Sequence, residues 1–157
     1  MYKSISDVLD GFERFLDHLS AQVDVDVMPG PQDFSSSFLP QQPLNSCLFP
    51  GLDHSEGVNL VTNPHKFEIN GGLKFLGTAG QNIYDIRQYS REPESDKSEA
   101  EKVLDVMQQT LEMRHICPTA PDTLRAFPYV SEDPFVVDEA PHVYFCGNQE
   151  TYGERLV

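Results

Sequence analysis

Cysteine, basic residues and long apolar runs are all scarce in this chain. The three cysteines, Cys47, Cys117 and Cys146, are far apart and include no Cys-x-x-Cys pair. This argues against a disulfide framework or a zinc ribbon and favours a reducing compartment. No stretch approaches the roughly 20 apolar residues needed to cross a bilayer, so no membrane span is predicted. The amino terminus shows no charged stretch followed by an apolar run, so no signal peptide is expected.

The shortage of positive charge limits what the chain can bind. It contains 11 Lys and Arg against 25 Asp and Glu, which gives a formal net charge of −14. Because nucleic-acid binding relies on clustered basic side chains, the chain is not expected to hold a phosphate backbone by itself. If DNA is nearby, we expect another chain to contact it.

The common catalytic motifs are also missing. There is no Gly-x-Ser-x-Gly, no Gly-x-Gly-x-x-Gly and no His-Glu-x-x-His sequence. The histidines, which show no metal-ligand spacing, are His18, His54, His65, His115 and His142. We interpret His18 as a helix residue, and His54 and His65 as loop residues that are solvated. A nucleophilic pair of Cys117 and His115 is a remote alternative, since closeness in sequence does not orient side chains for attack.

The periodicity that is present predicts a single α/β domain over residues 1–157, a length that allows one sizeable core. Apolar residues at three- and four-residue spacing predict helices over residues 4–20 and from residue 100 to about residue 115. The first helix is expected to cover one face of a sheet. Short strands are expected at 23–27, 58–62, 67–69, 74–76, 135–137 and 143–146. The last of these is mostly apolar, so it is predicted to be central and buried. Leu156 and Val157 are predicted to lie in the middle of a further strand.

The connections between these elements carry their own signals. Asn70-Gly71-Gly72 predicts a hairpin turn, and residues 77–82 predict a strand-to-helix turn, since they lack the Gly-Lys-Ser/Thr ending of a phosphate-binding loop. Residues 34–57 predict an ordered surface loop pinned by apolar side chains, residues 91–99 a charged loop or helix start, and residues 118–134 an irregular segment. Asp24 and Asp26 suggest acid/base or metal chemistry, or simply the solvent face of their strand. The loops at 28–33 and 147–150 follow strands, where α/β folds place ligands.

Five blocks of sequence are more specific than any of these patterns. They are Leu-Pro-Gln-Gln-Pro at 39–43, Thr-Asn-Pro at 62–64, Gly-Thr-Ala-Gly-Gln-Asn at 77–82, Arg-His-Ile-Cys-Pro-Thr-Ala-Pro-Asp-Thr-Leu at 114–124 and Pro-His-Val-Tyr-Phe-Cys-Gly-Asn at 141–148. In sequence, order and spacing these blocks resemble the family of small, or B, subunits of eukaryotic DNA polymerases, that of polymerase delta above all. The resemblance covers nearly the whole chain.

The resemblance implies a calcineurin-like metallophosphoesterase fold, part of a mixed β-sandwich flanked by helices. Active members of that fold hold two metals on Asp and His motifs and activate a water for attack on a phosphodiester. Their Gly-Asn-His-Asp motif corresponds to residues 30–33 here, their lone His to residue 79, and their Gly-His-x-His motif to residues 147–150. Two further motifs, Asp-x-His and Gly-Asp-x-x-Asp, occur nowhere in the chain. The implied metal-site positions are Gly30, Pro31, Gln32, Asp33, Ala79, Gly147, Asn148 and Glu150.

Few of these residues are good metal ligands. Proline and alanine have no coordinating side chain, and an amide in place of an imidazole holds a transition metal more weakly. We therefore expect a vestigial site, with no catalytic residue and no bound metal or other cofactor. The alternative is an active metal-dependent phosphoesterase or nuclease of the same fold, which archaeal relatives of the family resemble.

The resemblance also implies a function and partners. It implies a non-catalytic scaffold subunit in the nucleus that bridges the cysteine-rich C-terminal domain of the polymerase delta catalytic subunit and the third subunit of that complex, contacting DNA only indirectly. A generic interaction domain that kept the fold is the other alternative. Family members also carry an oligonucleotide-binding-type domain and the first half of the phosphoesterase fold before this region, and further strands after it. The chain therefore reads as an incomplete, partial phosphoesterase-like domain.

Overall fold

The computed structural model describes residues 4–54, 57–90 and 96–157. The helices and strands, in chain order, are α1 (Ile5–Ser20), β1 (Val25–Val27), β2 (Val58–Leu60), β3 (His65–Ile69), β4 (Leu73–Thr78), α2 (Gln81–Tyr89), α3 (Glu99–Glu112) and β5 (Val143–Cys146). Two short 3-10 helices, Ser46–Leu48 and Pro50–His54, lie between β1 and β2. This mixture of helices and strands confirms the predicted α/β class. No helix among the described residues is apolar over enough turns to span a bilayer.

The strands form two small sheets. β1 and β2 pair in parallel, with Val25 opposite Val58. In the second sheet β4 is the middle strand: it pairs antiparallel with β3 and parallel with β5. The predicted hairpin joins β3 to β4, and Asn70 and Gly71 have φ of 52° and 69°. Two consecutive residues in the left-handed region give the turn whose twist suits a two-residue hairpin.

β5 is where the sequence prediction is wrong about burial. Its apolar run predicts a central, buried strand, yet β5 lies at the edge of its sheet, and its residues alternate between exposed and half-buried. Tyr144 packs against the core cluster that contains Leu76, and Cys146 packs against the cluster formed between α2 and α3. Val143 and Phe145, in contrast, remain 38% and 39% exposed. The apolar run of β5 therefore reflects a strand with one face covered by the core and the other face only partly covered.

α1 and α3 each begin at a capping serine. Ser4 caps α1 and Ser98 caps α3, each in a capping box with an acidic residue three positions later. α3 packs Val103 and Val106 against Ile83 and Ile86 of α2. The apolar stripe of α1 is covered only in part, because Leu16 is buried while Ile5, Val8 and Phe15 are mostly exposed. The expectation that α1 covers a sheet face thus holds only along part of its length.

Three further expectations are corrected. Residues 135–137 form no strand: they make one bridge, between His115 and Val136, although Phe135 and Val137 are buried in the main core with Leu39, Leu76, Ile116 and Cys117. Arg114 adopts a left-handed φ of 54°, which bends the chain out of line for a longer ladder. Leu156 and Val157 are exposed and in no strand. His65 belongs to β3, since it pairs with Gly77.

The long loop over residues 34–57 is ordered in the part that the structure describes, and Leu39, Leu44 and Phe49 pin it by burial. Residues 118–134 are irregular, as predicted. Of the charged segment at 91–99, residues 91–95 lie outside the described residues, and α3 begins at Glu99.

Candidate functional site

The loops that follow β1, β4 and β5 meet in space. The Asn148 side-chain amide donates to the Ala79 carbonyl at 2.9 Å. A Cβ placed on Gly30 would lie 3.3 Å from the Asn148 amide nitrogen and 3.2 Å from the Asp33 carboxylate. Gly30, Asp33, Ala79 and Asn148 therefore converge on one place, at the carboxyl ends of strands where an α/β fold puts its ligands.

The loops at 79–80 and 147–149 approach each other too closely for side chains. Gly80 has φ of 95°, and a Cβ there would lie 2.5 Å from the Gly147 carbonyl oxygen and 2.7 Å from the Gln149 side-chain nitrogen. Only glycine fits this combination of left-handed backbone and close contact. The Gln149 side chain in turn donates to the Gly147 carbonyl at 2.9 Å. The remaining predicted positions, Pro31, Gln32 and Glu150, are exposed.

A cluster of three side-chain amides, which we call the amide cluster (Gln41, Asn63 and Gln81), supports these loops. The Asn63 amide donates to the side-chain oxygens of Gln41 and Gln81, both at 3.0 Å, and the Gln81 amide donates to Gln41. Two bonds tie the amide cluster to the site: Gln41 donates to the Gly30 carbonyl at 2.8 Å, and the Ala79 N–H donates to Asn63 at 3.1 Å. Gln41 and Asn63 are almost fully buried.

Sequence reasoning missed the amide cluster. Residues 39–43 and 62–64 carry part of the family resemblance, but nothing in them predicts this structural role. The available signal was weak: Gln41 and Asn63 each sit beside a proline in a loop, and Gln81 is the first residue of α2. Buried amides are stable only when their donors and acceptors are paired, and here partners come from segments 18 to 40 positions apart.

The side chains at the site do not suit a two-metal centre. Asp33 already accepts a hydrogen bond from the Gly30 N–H at 2.6 Å, and Asn148 offers an amide where an imidazole or carboxylate would bind a transition metal more strongly. Across residues 4–54, 57–90 and 96–157, no three His, Cys, Asp or Glu side chains are grouped so that they could hold a metal ion. A resident metal therefore does not fit the donors that the described residues present at this site.

The predicted aspartates on β1 do not join the site. Asp26 is exposed and accepts from His65 at 2.8 Å and from the Asn59 side chain at 2.9 Å. Asp24 is exposed too. These contacts fit the reading of a solvent-facing side of the strand, with Asp26 linking β1, β2 and β3.

The remote alternative of a Cys117–His115 nucleophilic pair is contradicted. His115 Nδ1 accepts from the Cys117 backbone N–H at 3.2 Å, and its Nε2 lies 3.0 Å from Asp133. Burial raises the pKa of the Cys117 thiol far above its ordinary value, and the nearby Asp133 and Asp85 carboxylates raise it further. Because the thiolate is the reactive form of cysteine, this residue is a core side chain.

The segment at 114–124 is anchored to α2 instead. The Asn82 side chain donates to the Ile116 carbonyl at 2.8 Å, and the Thr123 hydroxyl donates to Asp85 at 2.7 Å. Both α2 residues are buried. The most distinctive block of the sequence thus forms part of the core packing rather than a chemical site.

Comparison with known proteins supports the family resemblance of the sequence blocks. A family model that describes the B subunit of DNA polymerases alpha and epsilon matches residues 2–154. The chain is 46% identical over 142 residues to the DNA polymerase delta small subunit of Arabidopsis thaliana, covering 90% of this chain and 30% of that protein. It is 40% identical to the proteins of the same name from Oryza sativa and Saccharomyces cerevisiae, covering 98% and 95% of this chain and 34% and 35% of those proteins. The chain therefore spans about a third of the length of these relatives.

Proposed function

The chain belongs to the family of DNA polymerase alpha/epsilon B subunits, and we propose on that premise that it is a non-catalytic accessory subunit of a replicative DNA polymerase, in the nucleus. Its similarity to polymerase delta small subunits favours the delta complex. On this proposal the strands and helices described above are part of a calcineurin-like phosphoesterase fold that serves as a scaffold.

One observation carries the non-catalytic half of this proposal. At the place where Gly30, Asp33, Ala79 and Asn148 converge, Asp33 is the one ionisable side chain among these four residues. A two-metal mechanism needs several charged or imidazole ligands to hold its ions and to lower the pKa of a bound water. The other groups at this place are backbone carbonyls and a side-chain amide. The geometry therefore favours a domain whose role is to contact other proteins.

Metal binding and turnover test this half directly. The purified chain is dialysed against Mn²⁺, Zn²⁺ and Fe²⁺ in turn, its metal content is measured by mass spectrometry, and it is assayed with bis(p-nitrophenyl) phosphate. We expect well under one metal per chain, and turnover no higher than that of the matched variant Asp33→Asn. Stoichiometric metal together with turnover that Asp33→Asn abolishes would establish an active phosphoesterase and refute the proposal.

We further propose that the partners are protein subunits of the same complex. The cysteine-rich C-terminal domain of the catalytic subunit and the third subunit are the two that the chain would bridge. The net charge of −14 supports this division of labour, because the phosphate backbone of DNA repels so acidic a chain. Contact with DNA would then be made by the other subunits.

A further inference from the structure

We draw no further inference here: the strongest candidate, the apolar face of the sheet of β3, β4 and β5 on which Phe67 stacks on Phe75 and Phe145 lies over Gly77, supports no proposal because nothing in the structure shows what covers it.

Discussion

Cys117 and Tyr144 show how burial of single side chains sets the pH range in which the fold is stable. Burial is the main reason that the pKa of the Cys117 thiol is raised, and it raises the pKa of the Tyr144 phenol to about 12. In the unfolded chain a thiol ionises above about pH 8.5 and a phenol above about pH 10. The unfolded state therefore binds fewer protons than the folded state at alkaline pH.

The sign of the pH dependence follows from this difference. The stabilisation is fully present below about pH 8.5 and is lost as the pH rises, so the free energy of unfolding should fall by about 2 kcal/mol from Cys117 between pH 8 and pH 10. Urea unfolding at pH 8, 9 and 10 under reducing conditions measures it. Cys117→Ala should remove most of this slope, while Cys47→Ala, at an exposed position, should retain it. A slope unchanged in Cys117→Ala would show that other groups cause the loss.

At the scale of elements, the amide cluster joins three connections that local sequence does not relate. Asn63 bonds to Gln41 and Gln81 and accepts from the Ala79 N–H. Asn63→Ala would leave the Ala79 N–H and the Gln81 side-chain oxygen without this partner, each at a cost of about 1–3 kcal/mol, whereas Gln41 would keep its bond from Gln81. We predict a loss of about 3 kcal/mol in the free energy of unfolding, measured by urea titration.

A matched control is Asn59→Ala, which removes an exposed amide with a hydrogen bond to Asp26. Its effect should stay within about 0.5 kcal/mol, as for most surface substitutions. If both variants lose the same stability, the amide cluster does not hold the site loops in place.

Elements with local causes were predictable from the sequence, and elements with distant causes were not. The caps at Ser4 and Ser98 and the hairpin at Asn70-Gly71 depend on contacts within a few residues. The edge position of β5 and the single bridge at residues 135–137 depend on which other segments arrive beside them. The same holds for the site: the loops after strands were predictable, but the amides beneath them were not.

For the whole molecule, membership of a family of polymerase subunits points to protein partners. If the proposed role is right, co-expression with the cysteine-rich C-terminal domain of a polymerase delta catalytic subunit should give a complex that survives gel filtration. The physical reason is that apolar surface, such as the outer face of α1, becomes buried. An unrelated protein of similar net charge serves as the control for non-specific electrostatic binding. Elution of the two chains as separate species would count against the role.

The parallel pairing of β4 with β5 also affects how the chain reaches its folded state. Lys74 and His142, which bond to each other at the start of this pairing, are 68 positions apart in the sequence. Contacts between such distant segments require the closure of a long loop before they return any stabilisation, and they slow folding. On the ribosome β4 would emerge well before its neighbour is synthesised. The hairpin of β3 and β4 would then wait with one edge open until β5 has emerged.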